Sequence, residues 1–157
     1  MIWFTSDQHF GHYNIIKYCN RPFKSVRDMD YEIIFRYNSK VKPDDDVYML
    51  GDFTMFCDKD TIKNYAKLLN GKKHIVIGNH DRIKNPRVYI ECGFESVHYP
   101  YVQVKEFKCI HDYAMINEPC LCGHIHEKWL KKEGAYNVGV DMHAFYPINI
   151  NYIRENF

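Results

Sequence analysis

Short apolar runs alternate with longer amphipathic ones through the first half of the chain. Residues 2–6 (IWFTS), 47–50 (VYML) and 74–77 (HIVI) are mostly β-branched, aliphatic or aromatic, and a polar or glycine-containing turn closes each run. Between them, apolar residues recur at 26, 29, 33, 34 and 37, and again at 62, 65, 66, 68 and 69, close to one helical face. The order is βαβαβ, which predicts a largely parallel sheet with helices on its faces, because parallel neighbours need a crossover. The second half lacks helical spacing and carries extended runs at 96–104, 107–110, 120–123 and 136–140, which predict a second, mostly antiparallel sheet. Residues 127–136 read as a hairpin with a solvated lysine-rich tip and its turn at Lys132 to Gly134, and residues 150–156 as a helix capped by Asn149. No repeat, biased tract or linker interrupts the pattern, so residues 1–157 read as a single domain.

Composition narrows the class. A chain of 157 residues, 46% of them hydrophobic, buries a core without disulfides or a structural metal, since folding at this size covers roughly 68–70% of the unfolded surface. The 21 basic and 20 acidic residues nearly cancel, which argues against capture of long nucleic acid by bulk charge. No apolar run has the length of a membrane span and the opening MIWFTSDQHF does not resemble a signal peptide, so a cytoplasmic protein without membrane association is expected. The six cysteines (19, 57, 92, 109, 120 and 122) are expected as free thiols, with Cys120 and Cys122 on one side of a strand.

Chemistry enters at the strand ends. IWFTS runs into Asp7 and His9, VYML into Gly51-Asp52, HIVI into Gly78-Asn79-His80-Asp81, FKCI into His111-Asp112, and CLC into Gly123-His124-Ile125-His126. The carboxyl ends of strands in α/β sheets are where ligands bind, so these five ends are expected to converge. Asp7 with His9, and His124 with His126, stand at i,i+2, which in an extended segment aims both side chains to one side. Glycines 51, 78 and 123 let the backbone turn and leave room for neighbouring groups. The donors are carboxylate, amide oxygen and imidazole without thiolate. Seven of them exceed the need of one tetrahedral zinc but supply two ions with four ligands each if one carboxylate is shared. This donor mixture suits Mn best, with Fe or Zn as alternatives, over Mg or Ca.

In this order, Asp-x-His, Gly-Asp, Gly-Asn-His-Asp, His and Gly-His-x-His resemble the calcineurin-like metallophosphoesterases, and Ser-Asp-x-His-Phe-Gly-His at the start is similar to the small prokaryotic and phage members. The resemblance implies a four-layer α/β/β/α sandwich of two mixed β-sheets flanked by helices, with a dinuclear metal centre at the rim. It implies that Asp7, His9 and His126 hold one ion, Asn79, His111 and His124 the other, and that Asp52 bridges. The implied activity is hydrolysis of a phosphodiester or phosphomonoester by hydroxide shared between the ions, with His80 assisting the leaving group. Asp81 is a candidate to orient His80 or to fix its loop.

The protein phosphatases of that superfamily extend Gly-Asp to Gly-Asp-x-x-Asp-Arg-Gly, but here Met55 and Phe56 stand where the second aspartate and the arginine would be. That departure argues against a phosphoprotein substrate and leans towards diesters. A small phosphorylated substrate, a nucleotide or a short oligonucleotide fits a short chain without a cap, and no obligate protein partner is implied. The rival readings are a nuclease acting on short oligonucleotides and a non-catalytic binding module on the same scaffold. Candidate substrate contacts are His12, Arg21 and Arg82, the arginines because guanidinium binds phosphate in bidentate fashion. Asp112 and Asp141 are candidate partners of ligand imidazoles, His143 a weaker candidate, and His74 and His98 structural. Asp44, Asp45 and Asp46 read as a solvated turn.

Overall fold

The computed structural model describes residues 1–55 and 58–157. Phe56 and Cys57 therefore lie outside the described residues. The first sheet contains β1 (Ile2–Thr5), β2 (Asp46–Met49), β3 (Lys72–Val76) and β4 (Phe94–His98), all parallel, with β10 (Ile148–Asn149) antiparallel beside β1. Crossovers α2 (Val26–Lys40), α3 (Lys59–Leu68) and α4 (Pro86–Glu91) join the parallel strands. Ser25 caps α2 by accepting from the Asp28 amide, and Asp58 caps α3 by accepting from the Thr61 amide. Two six-residue helices, α1 (Tyr13–Tyr18) and α4, escape periodicity because fewer than two turns establish no repeat. At the far end, α5 (Ile150–Asn156) is the expected helix, with Asn149 accepting from the Tyr152 amide.

The second sheet has the order β5 (Tyr101–Val104), β6 (Phe107–Ile110), β7 (Cys120–Cys122), β9 (Ala135–Asn137), β8 (Lys131–Lys132). It is mixed and not mostly antiparallel: β6, β7 and β9 run parallel, and only the hairpins β5–β6 and β8–β9 are antiparallel. The parallel connections before β7 (residues 111–119) and before β9 (residues 123–134) are made without an α-helix, the first through a 3₁₀ turn. The expected run at 96–104 also divides at Tyr99-Pro100, its first part completing one sheet and its second opening the other. Residues 138–140 leave the strand, and Val140–Met142 forms a 3₁₀ turn.

Alternation along the strands sets the layers. Val47, Met49, Ile75 and Ile77 face Met29, Ile33, Ile62 and Ala66 on the helices. Their neighbours Phe4, Leu50 and Val76 meet Cys109, Leu121 and Tyr136 between the sheets, where Ile150 and Ile153 join them. On the outer face of the second sheet, Cys120 and Cys122 share one side as expected, with Ile110, under Tyr113, Ile116 and Trp129. The five described cysteines are free thiols. Two mixed five-stranded sheets flanked by helices thus form the α/β/β/α arrangement, whose outer layer over the second sheet is thin. Among the described residues, no helix is long and apolar enough to cross a membrane.

Candidate metal centre

Five strand ends meet at one rim, and backbone bonds lock them together. The loop after β1 runs beside the loop after β2: the amides of Asp7, His9 and Phe10 donate to the carbonyls of Gly51, Asp52 and Phe53, each at 3.0 Å. Ser6 forms a bridge with Gly139 beyond β9, which ties the two sheets at this point. Asp7 (φ 59°), His9 (φ 53°), Asp52 (φ 55°), His124 (φ 72°) and His126 (φ 49°) all occupy the left-handed region. Such strain in non-glycine residues persists only where the surroundings enforce it, and it clusters at functional sites. The i,i+2 pairs therefore do not sit on extended backbone as expected. Tight winding, and not strand alternation, brings each pair together.

Three donor groups form among the described residues, one of them Cys19, His126 and Asp141, and the other two draw on the expected ligands. Ligand atoms of Asp7, His9 and His126 lie within 4.8 Å of one another, and so do those of Asp52, His111 and His124. The Asn79 side-chain oxygen belongs with the second group, 2.8 Å from His111 Nε2 and 3.0 Å from His124 Nδ1. Asp52 Oδ2 stands between the groups, 3.5 Å from His9 Nε2 and 3.4 Å from His111 Nε2. Both Asp52 Oδ2 and His9 Nε2 are buried without a hydrogen-bond partner. An orphaned carboxylate oxygen facing an orphaned imidazole nitrogen is costly unless a cation lies between. The donor set and the orphaned atoms therefore fit divalent metal.

The surrounding groups aim these ligands. His111 Nδ1 donates to the Leu50 carbonyl at 2.6 Å, leaving Nε2 for an ion, and His126 Nδ1 is held by Asp141 Oδ2 at 2.9 Å. Asp7 accepts the His124 amide on both oxygens, at 3.1 and 2.9 Å. Burial pushes the His9 imidazole down to about 2, so it is neutral and able to ligate. Burial works against the charged form of His111 as well, but the nearby negative charges of Asp52 and Asp7 prevail and hold it up at about 9. Burial raises the Asp7 carboxyl. It opposes ionisation of Asp52 too, but His111 and His9 outweigh it and hold that carboxyl low. Glycine is required at 78 and 123. A Cβ at Gly78 would overlap Asp52 Oδ1, and one at Gly123 would reach Asp7 Oδ2 at 2.5 Å.

Several expected roles change. Arg21 is not placed to bind phosphate: its buried guanidinium forks onto Asp141 at 2.8 and 2.9 Å and donates to the carbonyls of Asp7 (2.7 Å) and Gln8 (2.9 Å), with Met29 sulfur as a further acceptor. Its donors are thereby used. Asp81 does not orient the His80 ring, because its carboxylate accepts three amides, from Asp52 (2.7 Å), Gly78 (2.8 Å) and Phe53 (2.9 Å). It is a positioning residue for Asp52. Asp112 caps the 3₁₀ turn through Ala114 and holds no imidazole, while His143 bonds the Asn137 carbonyl. His12 packs against His9, Nδ1 to Nδ1 at 3.4 Å, and Arg82 is exposed. His80 is half-buried, its amide donating to Asp52 Oδ1 and its ring 5.4 Å from that of His9. His74 and His98 both bond Ser96 within the first sheet.

Asn137 carries no sequence signal of its own, being one of several asparagines. Its side-chain amide donates to the carbonyls of His126 and Trp129, at 2.7 and 3.0 Å, and so pins the last ligand loop.

A family model of calcineurin-like phosphoesterases matches residues 1–155. The chain belongs to that family. The calcineurin-like phosphoesterases hydrolyse phosphoesters with the help of metal, typically two ions, and the two donor groups here accord with that habit. An uncharacterized protein of Methanocaldococcus jannaschii is 32% identical over 163 aligned positions, covering 97% of this chain and 88% of that protein. The gene 66 protein of Mycobacterium phage L5 is 33% identical over 81 residues, half of this chain and 39% of that protein. Among solved structures, a protein of unknown function from Aquifex aeolicus superposes with a TM-score of 0.73 at 25% identity, covering all of this chain and 99% of its own.

Proposed function

We propose that this phosphoesterase hydrolyses a small phosphorylated substrate, a phosphodiester or phosphomonoester, at a dinuclear centre. Asp7, His9 and His126 would hold one ion, Asn79, His111 and His124 the other, and Asp52 would serve both. The observation that carries this reading is the place of Asp52 Oδ2, unpartnered and midway between a nitrogen of each group. When bound, two divalent ions supply an activated water near neutral pH and positive charge for the phosphoryl oxygens. The chain keeps His9 neutral, and fixed acceptors hold His111 and His126 at Nδ1, leaving Nε2 of each for an ion. Asp81, itself held by the Gly78 amide, fixes the backbone of Asp52 so that its carboxylate keeps its position. His80, beside His9 and next to a ligand in sequence, can give a proton at a ring nitrogen to the departing oxygen.

Metal analysis and turnover test this together. Protein loaded with Mn is expected to carry about two ions per chain and to hydrolyse p-nitrophenyl phosphate or its bis ester, as a two-metal site requires. The Asp52→Asn variant should lose both metal and activity. Two ions without turnover in Mn, Fe or Zn would favour a binding module instead, and an Asp52→Asn variant with full activity would overturn the bridging role.

A further inference from the structure

We infer that the substrate is a phosphodiester bearing a flat ring, as in a nucleoside, and that this ring occupies an apolar cleft beside the second donor group; the inference rests on the phosphoesterase reading above. The cleft holds about 470 Å³ and includes Asn79, His111 and His124, so it is continuous with the ligand cluster. A bare phosphate needs far less, whereas clefts of roughly 300–1,000 Å³ suit ligands of nucleotide size. Its walls are Ile77, Pro100, Tyr99 and Met115. Tyr99 is 69% exposed and Met115 52% exposed, both large apolar side chains left open next to a polar centre. An aromatic face and a thioether are good partners for a base, whose π-face stacks whatever its identity. Two polar groups frame the apolar wall. Lys84 Nζ spends one donor on the Gly78 carbonyl, at 2.7 Å, and keeps two for an anionic oxygen. Asp112 engages Oδ1 with the Ala114 amide and keeps Oδ2 to accept from a ring N–H or amino group.

The opposite flank argues for a diester. A second cleft of about 290 Å³ adjoins the first donor group and is lined by His9, His12, His80, His126, Tyr18 and Lys128 among others. It shares no lining residue with the apolar cleft. A monoester has one organic substituent and a diester two. With the phosphorus between the donor groups, the ring-bearing substituent lies in the apolar cleft and the departing alcohol beside His80. Hydrolysis then forms a P–O bond from water and breaks the P–O bond to that alcohol. The alcohol leaves with a proton, and a ring-bearing monoester remains.

Two diesters with the same leaving group test the inference on Mn-loaded protein: the p-nitrophenyl ester of thymidine 5′-phosphate and methyl p-nitrophenyl phosphate. Stacking predicts a kcat/KM preference of about tenfold or more for the thymidine ester, carried by KM. Tyr99→Ala and Met115→Ala should each shrink that preference about threefold or more, and Tyr31→Ala, on the exposed face of α2, should retain it. Independently of turnover, saturation-transfer NMR on metal-free protein should mark the ring protons of thymidine 5′-phosphate, and Tyr99→Ala should abolish the signal. Equal kcat/KM for the two diesters, or a preference untouched in both cleft variants, would overturn the ring subsite while the phosphoesterase reading stands. Faster turnover of p-nitrophenyl phosphate than of either diester would overturn the diester assignment. If no ester is hydrolysed, the phosphoesterase reading fails, and the NMR result alone decides the ring cleft.

Discussion

The carboxylate of Asp81 accepts the backbone amide of Asp52 at 2.7 Å, so the residue next to His80 in sequence serves the shared carboxylate and not the histidine. It also takes the amides of Phe53 and Gly78 and is buried. In Asp81→Asn one acceptor oxygen becomes an NH₂ that faces backbone N–H groups. The expected result is a loss of about 1–3 kcal/mol in urea unfolding. Metal affinity by calorimetry should fall about 10–100-fold, as for other groups that orient a ligand. Unchanged metal affinity would show that Asp52 holds its place without Asp81.

Arg21 is expected to act on stability. Its guanidinium and Asp141 are both nearly inaccessible, and removing the guanidinium leaves the buried Asp141 carboxylate with His126 as its remaining side-chain partner. Arg21→Met should cost about 3–5 kcal/mol in denaturant unfolding. A phosphate-binding arginine would instead raise KM and leave the unfolding midpoint in place.

Gly123 tests the steric limit of the site without a backbone-conformation effect, because its φ is not positive. The added methyl of Gly123→Ala would collide with Ser6 Oγ and Asp7 Oδ2. Overpacking of this kind costs about 1–3 kcal/mol, and the displaced Asp7 should weaken metal binding. Calorimetric titration with Mn alongside urea unfolding separates the two effects, and wild-type values in both would refute the collision.

Asp45 links acid stability to the sheet edge. It is only 7% exposed and accepts from the Met1 ammonium (2.7 Å), Trp3 Nε1 (2.9 Å) and the Lys42 amide (2.9 Å). The hydrogen bond from the terminal ammonium, with the others, holds its carboxyl down at about 2. A depressed carboxyl stabilises the fold above its unfolded value, near 3.9, and that contribution fades as pH falls towards about 2. Asp45→Asn should therefore unfold earlier than wild type at pH 6, with the gap narrowing between about pH 4 and 2. Thermal melts followed by tryptophan fluorescence would detect this, and a gap that is constant with pH would refute it.

Much of this molecule was legible because the relevant signals are local. Apolar periodicity identified β1, β2, β3, α2 and α3, since each buries one face whatever surrounds it. Donor residues directly after apolar runs pointed to a rim, because strand direction fixes which ends converge. Two of the three donor groups among the described residues, Asp7 with His9 and His126 and Asp52 with His111 and His124, combine residues that the family resemblance implies together. The second sheet was less legible: strands of two to four residues carry no direction, so only the pairing of β6, β7 and β9 decides that it is mixed.

Sequence by itself determined the chemistry on offer: two carboxylates, an amide and four imidazoles at strand ends, with glycines where space is needed. Tertiary structure alone decided which charged groups reach solvent and which are used internally. Arg21 and Asp81 look in sequence like phosphate-binding and catalytic residues, but their partners, Asp141 and the amide of Asp52, lie 120 and 29 positions away. Asp45 looks like one of three solvated aspartates until the first strand folds over it. A side chain's hydrogen-bonding needs are written in its type, but which group meets them depends on contacts between distant segments that form only when the sheets close.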